Sequence, residues 1–221
     1  MIVNSLIVNS DCPFIWPIER RPFDLDELAL DTESGHRVEV TRTYLQMSAP
    51  GDANTSTPEP GEPVRVEHVG DCPESFFRYL YAEVGRRYHW TDRLAWTDGE
   101  IKQHLSREEI SIWAMYSKGS PGGYFELEQH ADGSTEIAYF GLMQHCIGRG
   151  LGKYLLSQAI KGAWDTGANR VWLHTCSLDD PAALPNYLNR GFRPYKQETY
   201  HTFLSPVEME WYLGRAGTSS L

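Results

Sequence analysis

Gly148-Arg149-Gly150-Leu151-Gly152 stands directly before an apolar pattern of helical spacing, Leu151, Leu155, Ala159 and Ala163. Glycine in a helix interior costs about 1 kcal/mol relative to alanine, so glycines at the head of a buried helix need a reason other than helix formation. The first N–H groups of a helix have no internal partner, and the aligned peptide dipoles place about half a positive charge there. Without side chains in the way, a large anion can approach those groups closely. Arg149 and Lys153 add cationic side chains to the same turn. A diphosphate is the natural candidate.

The rest of the chain restricts what surrounds this helix. Residues 1–35 are fragmented by Pro13, Pro17 and Pro22, and Asp24–Leu30 can form a helical turn or two. Arg37–Met47 alternates and is rich in β-branched residues, which predicts a strand. Ser48–Pro63 is a polar linker rich in proline and glycine. The expected division is an N-terminal extension over 1–63, a compact domain over 64–205 and a C-terminal tail over 206–221.

Within the domain, strands are expected at Val64–Val69, Ile110–Ser117, Tyr124–Ala131, Ser134–Met143, Arg170–Cys176 and Tyr195–Leu204. Helices are expected at Cys72–Tyr88, Thr97–Leu105, Gly150–Thr166 and Pro181–Arg190, with Thr97 or Asp98 as a cap before Glu100. Gly119–Gly123 and Asp132-Gly133 read as turns. The order β-α-α-β-β-β-α-β-α-β predicts an α/β (α+β) fold: hairpins, one parallel crossover, a mixed sheet and helices on its faces.

With 41% hydrophobic residues the chain can fill a core. The net charge of −10 lacks the basic footprint of a nucleic-acid partner and leans toward a cationic one. Cys12, Cys72, Cys146 and Cys176 form no CxxC pair or zinc pattern, so no metal is expected and reduced thiols fit a cytoplasmic setting. The N-terminal segment lacks a basic start and is interrupted by Asn4, Ser5, Asn9, Ser10 and Asp11, so neither a secretory signal nor a membrane span is expected.

Two phosphate-binding patterns do not fit the glycines. The dinucleotide pattern GxGxxG places its third glycine one residue later than Gly152. The Walker loop is longer and ends in Lys-Ser/Thr, whereas Lys153 is followed by Tyr154. Ile147–Gly152 does match [Q/R]xxGx[G/A] at Gly150 and Gly152, with Ile147 at the Gln/Arg position. This resembles the pyrophosphate loop of the GCN5-related N-acetyltransferase (GNAT) superfamily. Downstream, Pro181–Phe192 resembles that family's N-x-x-A-x-x-x-Y-x-x-x-G-F segment, with Tyr187 four residues before Gly191-Phe192. The motifs span Glu136–Phe192, and element order extends the likeness back to about Val64.

The resemblance implies a mostly antiparallel sheet that splays between two parallel strands. It also implies direct acetyl transfer from acetyl-CoA to a primary amine. By position, backbone groups of Leu142 and Met143 would pair with the pantetheine arm, one N–H polarising the thioester carbonyl. The segment Ile147, Gly148, Arg149, Gly150, Leu151, Gly152 and Lys153 would hold the diphosphate. Asp179 or Asp180 stands where the family often has a pantetheine-contacting asparagine. An amine of pKa about 10.4 must lose a proton before it attacks, and the departing thiolate benefits from an acid. Tyr187 occupies the acid or orienting position. His174 is the first candidate base and Glu136 the second, each with the plain alternative of an ordinary strand residue. Tyr88, His89, Trp90 and Trp96 are candidates for an aromatic acceptor wall or for core anchors.

The leading reading is thus an acetyl-CoA-dependent N-acetyltransferase, with a small amine slightly favoured over a peptide or protein acceptor. The alternatives are a non-catalytic acyl-CoA-binding or regulatory module of the same fold, and a nucleotide-binding protein with a degenerate loop. The extension is expected to cover a sheet edge or to serve a homodimer.

Overall fold

Alternating β-branched, aromatic and polar residues form β1 (His36–Met47), the first element of the computed structural model, which describes residues 35–54 and 60–216. The helical turn expected at 24–30 lies outside the described residues. There follow β2 (Val64–His68), α1 (Glu74–Gly85), α2 (Asp98–Leu105), β3 (Ile110–Ser117), β4 (Ser120–Gln129) and β5 (Ser134–Leu142). Then come α3 (Leu151–Asp165), β6 (Arg170–Cys176), α4 (Ala183–Asn189), β7 (Arg193–Leu204) and α5 (Pro206–Ala216).

The local chemistry explains the boundaries. Thr97 caps α2: its hydroxyl accepts from Glu100 N at 3.3 Å, and the Glu100 carboxylate accepts from Thr97 N at 2.7 Å. Helix α1 stops at Gly85, short of the expected Tyr88, because Trp90 folds back onto it; a Cβ on Gly85 would lie 2.5 Å from Trp90 Cβ. The turn after β3 is Lys118-Gly119, both at positive φ (52° and 86°). Pro121, Gly122 and Gly123, expected in that turn, belong to β4 instead, where a bulge opposite Met115 and Tyr116 accommodates the proline.

The strands form one seven-stranded sheet in the order β2-β3-β4-β5-β6-β1-β7, with only β5 and β6 parallel. Strand β1 therefore lies inside the sheet, antiparallel to both β6 and β7, rather than along an edge. A boundary at residue 63 does not separate the sheet from what precedes it, because β7 reaches β6 only through β1. The tail beyond residue 205 is likewise structured: Met209 and Tyr212 of α5 pack on Val40, Leu178 and Leu204.

Helices α3 and α4 cover one face. Leu151, Leu155, Ala159 and Ala163 are all buried there, against Leu45, Phe125, Leu127 and Leu173. Each fully buried leucine contributes roughly 1.5–3 kcal/mol. Helices α1 and α2 cover the other face over β3–β5, through Phe77, Leu80, Val84 and Ile101 on Ile112, Ala114 and Tyr124. Cys72, Cys146 and Cys176 are free thiols; Cys12 is outside the described residues. Among the described residues no helix is long and apolar enough to cross a membrane.

Candidate active site

The parallel ladder between β5 and β6 is short. It joins Ser134 to Arg170, Thr135 to Val171 and Glu136 to Trp172, and then stops. A bulge in β5 leaves Ala138 between the partners of Glu126 and Leu127, which bends the strand where the ladder ends. Past this point the strands part around a cleft of about 810 Å³. Its walls come from β5, β6, β1, β7, the α1–α2 segment, the head of α3 and the segment through α4.

At one end lie Ile147, Gly148, Gly150, Gly152 and Lys153. Gly148 and Gly150 sit at φ 79° and 76°, and a Cβ at either would meet nothing within 4 Å. They serve the left-handed backbone rather than a lack of room. Among the described residues no side chain caps the start of α3, and Gly148, Gly150 and Gly152 of its head line the cleft. Two side chains of this end, and the amide of Met143 expected beside the pantetheine arm, are engaged elsewhere. Arg149 turns away to the Glu62 carboxylate and Ser117 Oγ (3.2 Å), and donates to His145 O at 3.1 Å. Leu151 is buried in the core under α3. Met143 is buried in the α1–α2 core and its N–H donates to Gly122 O at 2.9 Å, which leaves that amide no free valence for a ligand. Leu142 lines the cleft.

Tyr187 reaches the cleft from α4, set by edge-on contacts with Phe140 and Phe192. Burial, reinforced by Asp179 and Cys176, raises its phenol well above the ordinary tyrosine value. It therefore keeps its proton at neutral pH. Asp179 accepts from Thr175 Oγ1 (2.7 Å) and Cys176 N (2.9 Å). Asp180 accepts from Ala182 N (2.9 Å) and the Tyr88 hydroxyl (3.3 Å). Both line the cleft.

His174 and Glu136 also line it, and their environments differ. The walls around His174, and next the Arg42 charge, push its imidazole down to about 4, although the ring itself stays open to water in the cleft. Glu136 is enclosed more tightly, its side chain 12% exposed. Burial pushes its carboxyl up to about 7, against the opposing bond to His130 Nε2 at 3.2 Å.

The α1–α2 segment supplies Tyr88, His89, Trp90, Asp92 and Arg93 to the cleft. Trp90 stacks edge-on with Tyr139 and Tyr124. Trp96 does not line the cleft: it packs in the α1–α2 core against His104 and under the Arg93 guanidinium. Sequence reasoning missed Arg42, Tyr200 and the buried Arg93–Glu126–His104 cluster. A charge inside the apolar run Tyr124-Phe125-Glu126-Leu127 was a readable sign of the cluster. Arg42 gave no sign, because it reaches the site only through the insertion of β1 into the sheet.

Residues 71–192 match the sequence model of the Acetyltransferase (GNAT) family. No curated protein matches the chain by sequence. A GCN5-related N-acetyltransferase from Kribbella flavida is 23% identical, aligned over 79% of this chain and 61% of its own, at a TM-score of 0.54. One from Sphaerobacter thermophilus is 15% identical over 82% of this chain and 56% of its own, at 0.55. A conserved protein of unknown function from Staphylococcus epidermidis is 18% identical over 82% and 65%, at 0.53. At these identities the likeness is one of fold, and this chain spans under two thirds of each relative's length.

Proposed function

The chain belongs to the acetyltransferase (GNAT) family, and from that premise we propose that it moves an acetyl group from acetyl-CoA to the primary amine of a small-molecule acceptor. One observation carries the reading: the uncapped head of α3 and the phenol of Tyr187 open onto the same cleft where β5 and β6 part.

The residues fit the coenzyme. The bare amides from Gly148 to Lys153 suit a diphosphate, and Lys153 adds a cation with no ion pair among the described residues. The parted edges of β5 and β6 offer backbone groups to an extended, amide-bearing arm. When bound, acetyl-CoA supplies an acyl group activated as a thioester.

The chain's own part is proton transfer and positioning. The amine must reach the acyl carbon with its lone pair free, so a base must take its proton. Glu136 suits this better than His174, reversing the order expected from the sequence. A carboxyl near 7 is about half ionised at neutral pH and binds a proton firmly, whereas an imidazole held below its ordinary value is neutral but a weaker base. Glu136 takes the ammonium proton before attack and passes it to solvent; as the new C–N bond forms and the C–S bond breaks it takes the second nitrogen proton, and the Tyr187 hydroxyl gives one to the leaving sulfur. Solvent restores both.

The test is thiol release from acetyl-CoA with a panel of primary amines. Tyr187→Phe is expected to lower turnover by roughly 10²–10⁴-fold, the usual range for a positioned acid or base. Thermal stabilisation by CoA is expected alongside. Stabilisation by ATP but not CoA would overturn the assignment; undiminished turnover in Tyr187→Phe would remove the acid role from the phenol.

A further inference from the structure

We infer that the amine acceptor carries a carboxylate and that Arg42 holds it, an inference that rests on the transferase reading above. The argument is a charge inventory of the cleft. Arg93 is neutralised by a two-pronged bond to Glu126 at 2.6 and 2.9 Å. Glu128 pairs with Arg107 at 2.7 Å, and Glu136 with His130. Asp180 is held by Tyr88 and Ala182 N. Lys153 stands at the head of α3, where the diphosphate of the coenzyme answers it.

Arg42 remains. It lines the cleft, yet among the described residues no carboxylate pairs with it. Its neighbours there are phenols: one terminal nitrogen lies 3.5 Å from the Tyr200 hydroxyl, and the guanidinium rests 5.0 Å above that ring. Among the described residues its Nε is buried without an acceptor. Glu198 stands directly across the strands from it but accepts from Tyr44 OH at 2.8 Å and pairs with Lys196. Asp92, also in the cleft wall, accepts from the Tyr139 hydroxyl at 3.4 Å. Contacts with the Tyr44 and Tyr200 phenols hold the Arg42 charge, but a buried Nε with no bond among the described residues leaves the fork a donor that an anion would complete.

The position is on the reaction side. Arg42 lies opposite Cys176 and close enough to His174 for its charge to depress that imidazole. Strand β6 separates it from the diphosphate end, so one bound anion does not serve both. A planar fork with one net positive charge, and no second free cation beside it, suits a carboxylate rather than a dianionic phosphate.

The experiment uses matched acceptors: phenylalanine with phenethylamine, histidine with histamine, and lysine with cadaverine. Thiol release is measured for each, and calorimetry measures binding of each to the full chain saturated with CoA. The carboxylated member of the best pair is expected to win by at least tenfold. Arg42→Gln is expected to bring that ratio near one, chiefly through KM, and Arg42→Lys to recover part of it. Equal or better use of the decarboxylated member, or a ratio that survives Arg42→Gln, overturns the inference and leaves the transferase reading intact. Should Arg42→Gln fail to fold, the parent's ratio decides. A preference in binding without thiol release upholds the carboxylate site and overturns the transferase reading. Neither release nor binding with any pair overturns both.

Discussion

Glu126 on β4, fully buried, and Glu136 on β5, partly buried, are carboxylates on adjacent strands of one sheet, and they behave in opposite ways. Burial would raise Glu126, but His104 (3.0 Å) and the Arg93 fork outweigh it and hold the carboxyl below its ordinary value. Burial also raises Glu136, and there only His130 opposes it, so the carboxyl stays near 7. Burial alone therefore does not identify a reactive acid. A carboxylate whose lone pairs are all answered locks the α1–α2 segment onto the sheet. A carboxylate left partly unanswered at the rim of a cleft is available for a proton.

The contrast predicts different failures. The largest is expected for Glu136→Gln, with kcat/KM for thiol release down roughly 10²–10⁴-fold, or about 2.7–5.4 kcal/mol of barrier. The rising limb of the pH–rate profile near 7 should vanish with it. Full turnover in this variant would break the comparison at once. Glu126→Gln is expected to act on stability instead, losing about 3–5 kcal/mol because Arg93 is left buried and uncompensated. Denaturant midpoints measure this, and a midpoint equal to the parent's would show that the cluster is not structural.

The pH dependence of stability separates the pair further, and the signs are opposite. Glu136 binds its proton more tightly folded than unfolded, so its contribution is full below about 4.5 and is lost as pH rises toward 7. Glu126 binds its proton less tightly folded, so its contribution is present above 4.5 and is lost as pH falls below it. His174, depressed to about 4, loses stability as pH falls from 6.5, against the Glu136 trend. The measurement is therefore each variant against the parent at each pH: Glu136→Gln should gain relative stability above pH 7, and Glu126→Gln should lose its deficit in acid. His174→Gln should lower turnover less than Glu136→Gln does; the reverse order would return the base to the imidazole. The smallest effect is expected for Arg149→Gln, a slight shift in denaturant midpoint, since its ion pair with Glu62 remains open to solvent screening.

The element order was legible because it depends on local periodicity and capping. Thr97 with Glu100 and the apolar spacing of α3 act within a few residues of themselves. The head of α3, Tyr187, His174 and Glu136 were named from motif and order, and the structure brings all four to one cleft. Arg149, Met143 and Trp96 were not legible in the same way. Their side chains or amides are claimed by Glu62, Gly122 and the His104–Arg93 cluster, partners that no short window contains.

By itself, then, the sequence determined most of the strands and helices, α5 and the start of β4 excepted, and that one helix begins with glycines. Those outcomes follow from backbone preferences and from the spacing of apolar residues along the chain. Only the tertiary structure decided that β1 threads between β6 and β7 and carries Arg42 to the cleft, and that Glu126 is neutralised while Glu136 is not. Strand neighbours and charge partners are chosen by contacts between residues far apart in the chain. Whether a buried charge is answered depends on every element that packs around it.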